Sequence, residues 1–291
     1  MSTKQEKATA PIRTMQPHPD LDKLLDSPDF NPDEWVWERK YDGVRCLYDP
    51  STKECYSRSG TLYKNFDFVK ETLDVLATYL PEGAIFDGEV SGMQFKDTTE
   101  QLFRKTDIDT SNLIYNVFDI VVPKYTHIER KSLLWDSIVK AVQEHGRIFT
   151  KQVQLVYSFE FPLEYTKVKL LNMIKNLVHR EGFEGIVLKR KRSKYEQGTK
   201  SVKNWVKGLI AHTEDLTLTS VEEGKGKLAG CVGTFICGDY RIAAGKATHE
   251  QLKHWWEHQE DLPKVIEVSY KSTNGKTLRH PRFVRARYDK D

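Results

Sequence analysis

The sequence contains little cysteine and no long apolar run. Its 291 residues include four cysteines, Cys46, Cys55, Cys231 and Cys237, and none of them forms a CxxC pair. This usage predicts buried thiols without a disulfide framework, in a protein that resides inside the cell. No apolar run reaches the ~18 residues that a membrane helix needs, and the first residues lack the apolar segment of a secretory signal. Residues 1–27 predict a flexible N-terminal extension.

The sequence also lacks a large net charge. The formal charge is +3, with 30% charged and 38% hydrophobic residues, which predicts a globular chain but does not by itself indicate a nucleic-acid partner. Basic residues are nevertheless concentrated in two blocks, 189–207 and 276–290, which contain eight and six of them against one acidic residue each. Such blocks favour a polyanion-binding side, although a solvated lysine-rich loop explains either block equally well.

The hydrophobic pattern predicts an α+β fold in two parts. The first part is residues 28–208, where strands and helices alternate. Helices are predicted over 67–80, 131–146 and 164–182, and strands over 84–90, 113–122, 185–190 and 201–207. The second part, residues 209–291, has many glycines, short alternating segments and one helix at 248–259. This texture is typical of a small all-β barrel of the OB type.

The segment WVWERKYDGVRC, residues 35–46, places a group of charges between two apolar stretches. The alternating residues on both sides predict two strands, and Asp42-Gly43 suits the turn of a tight hairpin. These residues alone therefore favour a β-hairpin with a polar tip.

A chemical role for the same charges centres on Lys40. A lysine becomes nucleophilic when desolvation or nearby cations lower its pKa, and Arg39 and Arg45 are close in sequence. Asp42 would lie on the same side of the strand, where it could orient the amine or a ribose hydroxyl. Gly43 would let the backbone approach a ligand closely.

Further residues that suit phosphate chemistry follow in order. FDGEV places Asp87 and Glu89 near a strand end, with Gly88 allowing close approach, and EGIVLK provides Glu184 and Lys189. Acidic strand ends can hold Mg²⁺, and lysines can bind phosphate oxygens. Each segment alone also suits an ordinary turn or strand start, so it is their joint occurrence that favours nucleotidyl transfer.

In this order the segments resemble the motifs of the covalent nucleotidyltransferases, the superfamily of ATP-dependent DNA ligases, RNA ligases and mRNA capping enzymes. KYDGVR matches the nucleophile motif K-x-D-G-x-R, and the resemblance extends from about Trp35 to Lys290. SRSG (57–60), FDGEV, YNVFDI (115–120), EGIVLK and KNWVK stand where the family has its successive motifs. EEGKGKLAGCVGTF and LRHPRFVRARYDKD are similar to the DNA ligases in particular.

The resemblance implies a binding site for ATP, the AMP donor. Lys40 would become linked to AMP through its Nε, and Glu38 would contact the adenine amino group. Phe118 would stack on the adenine ring, and Arg45 would hold ribose or phosphate. Arg39 is expected among the nucleotide-binding residues.

The same resemblance implies a site for Mg²⁺, with Mn²⁺ as an alternative. Glu89 would contact the ribose or the metal, and Glu184 would be the metal-side carboxylate. Lys189 and Lys207 would bind the α-phosphate and take part in catalysis, as would Asp42.

Arg58 in SRSG is implied as the contact to the 5′-phosphate of DNA. Arg287, Asp289 and Lys290, near the C-terminus, would orient the pyrophosphate leaving group. Two positions depart from the family pattern: Leu209 stands where a second lysine is usual, and Ser59 stands where Asn is commoner.

The resemblance predicts an adenylation (nucleotidyltransferase) domain of antiparallel sheets with flanking helices, over residues 28–208, and an OB-fold domain, over residues 209–291. It implies a compact ATP-dependent DNA ligase that seals nicks in duplex DNA, as found in bacteriophages and some bacteria. The basic blocks would hold the duplex backbone independently of base sequence. The enzyme is expected to be an intracellular monomer with no membrane attachment.

Three other functions stay open. A GTP-using mRNA capping enzyme and an RNA ligase share the superfamily, but SRSG and the C-terminal motif favour a DNA ligase. A non-catalytic OB-type module that binds nucleic acid would leave Lys40, Glu89 and Glu184 unexplained. NAD-dependent ligases are disfavoured, because they carry extra modules that 291 residues do not accommodate.

Overall fold

The computed structural model describes residues 12–92, 95–104, 108–146, 152–162, 164–273 and 277–290. The chain forms two compact units, Met1–Leu209 and Ile210–Asp291, here called unit 1 and unit 2. Both contain mostly antiparallel sheets together with helices, so the predicted α+β class is confirmed. In the described part of the chain, no helix is both long and apolar enough to cross a bilayer.

Helices and strands alternate irregularly along the chain. The helices are α1 Leu21–Leu25, α2 Asp67–Ala77, α3 Phe95–Phe103, α4 His127–His145, α5 Lys167–His179 and α6 His249–Glu257. The strands of unit 1 are β1 Trp35–Lys40, β2 Val44–Asp49, β3 Glu54–Ser57, β4 Ile85–Ser91, β5 Ile114–Val121, β6 Val153–Leu155, β7 Ser158–Glu160, β8 Gly185–Arg190 and β9 Trp205–Gly208. Those of unit 2 are β10 His212–Thr217, β11 Ser220–Glu223, β12 Val232–Cys237, β13 Tyr240–Ala243, β14 Val265–Tyr270, β15 Ser272–Thr273, β16 Leu278–Arg279 and β17 Arg282–Ala286.

Unit 1 contains a four-stranded and a five-stranded sheet. The four-stranded sheet has the order β7-β1-β8-β9 and is antiparallel throughout. The five-stranded sheet has the order β3-β2-β4-β5-β6, and only its β5–β6 pair is parallel.

Strands β1 and β2 belong to different sheets, so the hairpin predicted for residues 35–46 is wrong. β1 pairs with β7 and β8, whereas β2 pairs with β3 and β4. The turn at residues 41–43 instead carries the chain from one sheet to the other. A Cβ on Gly43 would lie 2.2 Å from the Val90 carbonyl oxygen, so this glycine permits close packing on β4. Alternating apolar residues predict a strand but not its partner, which explains the error.

Helices α2 and α4 contribute to the core of unit 1. The buried residues of α2, at helical spacing, are Val69, Thr72, Leu73 and Leu76, which gives one apolar stripe. Helix α4 begins four residues earlier than predicted, because Thr126 and Glu129 form a capping box that satisfies the first free N–H groups.

All four cysteines are buried, as predicted, but two of them are not separate thiols. Cys46 on β2 and Cys55 on β3 form a disulfide, with their Cα atoms 6.3 Å apart, whereas Cys231 and Cys237 are free. The expectation of four unpaired thiols is therefore wrong for this pair. The antiparallel pairing of β2 with β3, which sequence spacing does not reveal, brings the two residues together.

Residues 12–27, expected to belong to a flexible extension, pack on unit 1. Met15 is fully buried, and its N–H donates to the Tyr195 hydroxyl at 3.2 Å. The backbone of His18 makes two hydrogen bonds to the backbone of β9. Its N–H donates to Trp205 O at 2.7 Å, and its carbonyl oxygen accepts from Lys207 N at 2.9 Å. The flexible extension is thus corrected for this stretch, and residues 1–11 lie outside the described residues.

Unit 2 is built around a six-stranded sheet with the order β10-β14-β17-β13-β12-β11. The two outer strands, β10 and β11, are separated by only residues 218–219. They follow each other like two halves of one long strand, of which the first half pairs with β14 and the second half with β12. β13 and β17 are parallel and the other pairs antiparallel. Helix α6 contributes Leu252 and Trp255 to the core of this unit.

Candidate active site

The register of the four-stranded sheet places four predicted site residues on one face. Glu38 pairs with Val187, and Val187 pairs with Lys207. Lys40 lies two residues beyond Glu38 on β1, and Lys189 two residues beyond Val187 on β8. Residues opposite each other in an antiparallel pair point to the same side, and side chains alternate along a strand. These lysines and Glu38 therefore face one side of the sheet.

A cavity of about 690 Å³ lies in unit 1, within the usual size range of small-molecule sites. The predicted site residues that line it are Glu38, Arg39, Lys40, Arg45, Arg58, Glu89, Phe118, Lys189 and Lys207. The cavity also has walls that the sequence did not indicate, among them Gln16, Pro17, Lys200 and Trp205.

Lys40 is the last residue of β1, and its amine contacts a carboxylate. Its Nζ lies 2.7 Å from Glu184 Oε2, and 21% of the Lys40 side chain is exposed, against 8% for Glu184. The amine is therefore accessible from the cavity. The two cations expected to act on Lys40 have other partners: Arg39 stacks between two aromatic rings, and Arg45 bonds to Asp87.

Glu89 faces the same amine from the five-stranded sheet. Its Oε1 accepts a hydrogen bond of 3.0 Å from the Gly43 N–H. Burial raises the pKa of Glu89, and Glu184 adds to this, while the charges of Lys40 and Arg45 act against it. A carboxylate with a raised pKa beside a second carboxylate is a common feature of functional sites.

Glu38 lines the cavity and is almost fully buried, with four donors or cations around its carboxylate. Lys189 Nζ is 2.6 Å from Oε2, and Ser158 Oγ donates to Oε1 at 2.7 Å. His127 Nε2 and Lys131 Nζ lie 3.2 and 3.4 Å from Oε1. Burial alone would raise the pKa of Glu38, but Lys131 and Lys189 hold it well below the ordinary range. The carboxylate is therefore charged.

Lys189 lies beside Glu38 and is only 2% exposed. Its Nζ donates to the Phe118 carbonyl oxygen at 3.2 Å and lies 4.8 and 4.4 Å from the ring centroids of Phe118 and Trp205. Burial lowers the pKa of this lysine, against the effect of Glu38. The structure thus places Lys189 in the wall of the cavity beside Glu38, and its contact with an α-phosphate stays a prediction.

A β-bulge explains the position of Phe118. Asp87 pairs with Asp119, but the next residue, Gly88, pairs with Val117, so Phe118 has no partner on β4. A bulge turns a side chain away from the regular alternation, and here the ring lines the cavity. The extra residue also leaves its carbonyl oxygen available to Lys189.

A buried ionic network supports this end of the cavity, and the sequence did not reveal it. Arg130 donates two hydrogen bonds to Asp119, from Nε at 2.7 Å and from Nη2 at 2.9 Å. His127 lies between Asp119 and Glu38, with its Nδ1 3.6 Å from Asp119 Oδ2. Burial would raise the pKa of Asp119, but Arg130 holds it well below the ordinary range. The motif HIER at the start of α4 contains His127 and Arg130, and it was the sequence feature from which this network could have been predicted.

Arg45 extends from β2 towards Phe118. Its Nε and Nη2 donate to Asp87 at 2.8 and 2.6 Å, and its guanidinium lies 5.2 Å from the Phe118 ring centroid. Tyr195 donates a further hydrogen bond of 2.6 Å to Asp87. Burial would lower the pKa of Arg45, but Asp87 raises it, so the side chain is a fixed cation.

The remaining predicted residues of unit 1 divide into two groups. Arg58 and Lys207 line the cavity, with Arg58 exposed. Asp42 is exposed and lies in the turn after β1, which ends at Lys40. It does not continue the strand, so the strand geometry assumed for its expected position beside Lys40 is wrong, and its role stays a prediction. Gly88 packs against the Tyr115 ring rather than opening space for a ligand.

Glu89 and Glu184 suit a magnesium ion that also binds a substrate. Both carboxylates face Lys40, and Mg²⁺ commonly binds one or two carboxylates plus phosphate oxygens and water. Among the residues that the structure describes, no group of three or more carboxylate, imidazole or thiolate side chains could hold a metal alone. The two carboxylates therefore fit a metal ion whose remaining ligands come from a bound molecule and water.

The C-terminal cations of unit 2 are held by two carboxylates. Arg287 Nη1 donates to Asp215 at 2.7 and 2.9 Å, and its Nε and Nη2 donate to Asp289, both at 2.8 Å. Lys290 Nζ donates to the same Asp215 at 2.7 Å. The hydrogen bond from Lys290, with the charges of both cations, lowers the pKa of Asp215. Asp215, on β10, was not predicted.

Comparisons with known proteins show the family of the chain. The sequence model of the ATP dependent DNA ligase domain matches residues 16–208. The DNA ligase of Methanospirillum hungatei JF-1 is 28% identical over 299 residues, which cover 87% of this chain and 51% of that protein. The chain spans about half the length of the curated relatives it matches.

Solved structures share the fold. Pmar-Lig_PreS3 is similar with a TM-score of 0.75 and 22% identity, over 95% of this chain and 68% of that chain. The ATP-dependent DNA ligase from bacteriophage T7, in complex with ATP, is similar with a TM-score of 0.55 and 19% identity, over 94% of this chain and 98% of that chain.

Proposed function

The chain belongs to the ATP-dependent DNA ligase family, and we propose on this ground that it seals 5′-phosphate/3′-hydroxyl nicks in duplex DNA through a lysyl-AMP intermediate. The observation that carries the proposal is the position of Lys40. Its amine is accessible from the cavity and 2.7 Å from Glu184, while Glu38 and Phe118 line the same cavity at the base end. A nucleophile, a carboxylate partner and a base-sized compartment thus occur together.

Lys40 would act as the nucleophile. Its Nζ would form a bond to the α-phosphorus of ATP as the bond from that phosphorus to the pyrophosphate oxygen breaks. The amine must lose a proton, and Glu184 Oε2 is within hydrogen-bond distance to accept it. An oxygen of the DNA 5′-phosphate would then displace Lys40 from AMP, and the 3′-hydroxyl would displace AMP from the DNA.

The nucleotide would enter with its base toward Glu38. Phe118 offers a ring face for stacking, and the charged Glu38 is an acceptor for the adenine amino group. Arg45 is a fixed cation next to Phe118 and suits ribose or phosphate oxygens. Lys189, buried against Glu38, would orient that carboxylate. Lys207, at the cavity wall, becomes the proposed α-phosphate contact.

Mg²⁺ would bind Glu89 and Glu184 and would supply charge neutralisation for the phosphates. Both carboxylates already face the amine that reacts, and Gly43 fixes one oxygen of Glu89. The ion would therefore complete its coordination with phosphate oxygens and water.

Unit 2 would be an OB-fold domain that follows the adenylation domain. Three features support this: the first strand is split into β10 and β11 at the two ends of the sheet order, β13 and β17 are parallel, and α6 lies between β13 and β14 in the chain. Arg287 and Lys290, ordered by Asp215 and Asp289, would bind the pyrophosphate leaving group.

Nicked duplex DNA would be bound through phosphates. Arg58 is exposed at the cavity and would contact the 5′-phosphate. The exposed lysines and arginines of the segment 189–207 would contact the duplex backbone, so affinity would fall with salt and ignore base sequence. The protein would act as a monomer inside the cell.

Incubation with α-labelled ATP and Mg²⁺, followed by a nicked duplex, tests the proposal. The wild type is expected to become labelled and then to release label into DNA-adenylate and free AMP as the nick closes. Lys40→Ala and Lys40→Arg are expected to stay unlabelled, because a guanidinium does not lose its proton. Lys140→Ala, which removes an exposed lysine of α4, is the matched control. Labelling of Lys40→Ala at the wild-type level would contradict the proposal.

The same assay distinguishes the superfamily members. A site that binds the adenine amino group rejects an analogue that lacks it, so labelled GTP is expected to react far more slowly than labelled ATP. Equal labelling by GTP would assign the chain to the capping enzymes, and sealing of nicked RNA alone would assign it to the RNA ligases.

A further inference from the structure

Arg39 lies between two aromatic rings. Its guanidinium carbon is 4.8 Å from the ring centroid of Tyr41 and 4.2 Å from that of Phe183. Its Nε is buried and has no hydrogen-bond partner among the residues that the structure describes, so stacking accounts for its position. An arginine stacked on aromatic faces gains from both the ring quadrupole and planar contact.

The two rings are the chain neighbours of the pair that forms the reactive centre. Tyr41 directly follows Lys40, and Phe183 directly precedes Glu184. Lys40 and Glu184 are themselves 2.7 Å apart. Arg39 therefore connects the two backbone segments that carry the nucleophile and its carboxylate partner.

The end of the β-ladder explains why such a connection is needed. The last pair between β1 and β8 is Lys40 with Gly185. Tyr41 follows the end of β1 and Glu184 precedes the start of β8, so both residues lie outside the ladder. The Phe183 N–H donates to Leu177 O of helix α5 at 3.0 Å. This hydrogen bond does not fix the distance between Phe183 and β1. The stack on Arg39 bridges the gap.

Neighbouring side chains on a strand alternate, so Arg39 leaves β1 on the side opposite to Lys40, although part of the residue borders the cavity. It faces Ile186 across the sheet. The direction of the Arg39 side chain therefore disfavours a contact between its guanidinium and the Lys40 amine. It also disfavours the effect on Lys40 that was expected from a nearby cation.

We propose that Arg39 is a positioning residue that holds Lys40 and Glu184 in register through Tyr41 and Phe183, an inference that rests on the proposed adenylation activity. Without the stack, the segment 181–184 and the turn 41–43 can separate, and the carboxylate leaves the amine. Misplacement by about 1 Å can slow a reaction up to about a hundredfold.

Single-turnover labelling with α-labelled ATP tests this with three variants: Arg39→Ala, Arg39→Lys and Phe183→Leu. Each is expected to lower the maximal rate of adenylation about tenfold, with little change in the ATP concentration at half-maximal rate. Arg39→Lys keeps the charge but loses the planar stack, so it is expected not to rescue. Phe183→Tyr keeps the ring and is expected to retain the wild-type rate. Arg180→Ala, an exposed arginine of the same segment, is the control.

A double-mutant cycle separates positioning from a general loss of structure. If Arg39 acts through Glu184, then Arg39→Ala adds nothing further in a Glu184→Gln background. A loss of folded protein would instead lower both backgrounds by the same factor. Additive losses in the cycle overturn the inference, and so does a wild-type rate in Arg39→Lys.

Failure of the inference and failure of the proposed function give different results. A wild-type protein that takes no label from ATP removes the proposed function itself. A wild-type protein that is labelled, alongside an Arg39→Ala variant that is labelled equally fast, removes only the role of Arg39.

Discussion

Lys189 and Glu38 form an ion pair that is almost inaccessible to solvent, with 2.6 Å between Nζ and Oε2 and side-chain exposures of 2% and 1%. A buried pair of this kind is costly to break, because the remaining charge has lost its main partner. In the strand register, the pair spans β1 and β8 on the cavity side of the sheet. This part of the cavity wall is therefore formed by charges that neutralise each other.

Replacement of Lys189 by methionine is expected to destabilise the protein by about 3 kcal/mol. The lower end of the usual range applies because Lys131 still lies 3.4 Å from Glu38. Urea unfolding at neutral pH, followed by tryptophan fluorescence, measures the change. Lys140→Met, on the exposed face of α4, is the control and is expected to differ little from the wild type. A Lys189→Met variant as stable as this control would show that the pair contributes nothing.

The raised pKa of Glu89 predicts a pH dependence of stability. Because burial raises the folded-state pKa above the ordinary value of 4.5, the folded state binds the proton more tightly than the unfolded state. Its contribution to the free energy of unfolding is therefore fully present below the unfolded-state pKa and falls as pH rises through the folded-state pKa.

Glu89→Gln removes this titration. The unfolding free energy of the wild type minus that of Glu89→Gln is expected to decrease as pH rises from about 4 towards neutrality. Urea titrations of both proteins at several pH values in this window measure the difference. A difference that stays constant, or that increases with pH, would contradict a raised pKa at this carboxyl.

The C-terminal cations are expected to matter only while ATP is the substrate. Arg287→Ala with Lys290→Ala should severely reduce self-adenylation but leave the sealing of a nick that already carries 5′-linked AMP largely intact. In the final step the leaving group is AMP, so no charge develops on pyrophosphate. Gel assays of nick closure with ATP and with the pre-adenylated nick compare the two reactions.

Two further variants serve as references for that comparison. Arg285→Ala, whose arginine pairs with Glu267, is the matched control for a lost cation in the same strand region. Glu184→Ala should damage both reactions, because a metal-side carboxylate serves each transfer. Equal failure of the double variant on both substrates, in a folded protein, would instead assign the two cations to DNA binding.

Replacement of Gly88 by alanine is expected to destabilise the protein. A Cβ there would lie 2.5 Å from the buried ring of Tyr115 and 2.7 Å from the Asn116 carbonyl oxygen, so Gly88→Ala should cost about 1–3 kcal/mol through overpacking. Gly83 has φ near +76° and open space around it, so Gly83→Ala should cost about 1 kcal/mol from backbone strain alone. Denaturant unfolding of both variants ranks them, and a smaller loss for Gly88→Ala would contradict the steric argument.

The sequence was sufficient to bring Lys40, Glu89 and Glu184 into one site, because each lies in a short segment whose chemistry is visible locally. The strand segments 84–90 and 185–190 were also found, since β-branched and aromatic residues are concentrated there. Pairing was not predictable. The hairpin at 35–46 was wrong because the alternation of β1 and β2 is the same whether they pair with each other or with distant strands.

Contacts between distant segments explain the rest of what was missed. Ser158 reaches Glu38 across 120 residues, and Asp215 reaches Arg287 across 72. His127 and Arg130 begin a helix that the apolar period placed only from residue 131, because a capping box and not periodicity sets its start. The contacts of Lys189 with Glu38 and with the Phe118 carbonyl oxygen were also missed, because the second depends on the bulge at Phe118.

Strand β17 lies between β14 and β13, although it is the last strand along the described chain to leave the ribosome. Domains generally fold as units during synthesis, and here the strands from β10 to β14 emerge while the position between β13 and β14 is still empty. Both of these strands then present open edges, which are the usual sites of wrong pairing. A chain that ends before Arg282 would therefore leave one edge of β13 and one edge of β14 unpaired, and the sheet of unit 2 is complete only when residues 282–286 are present.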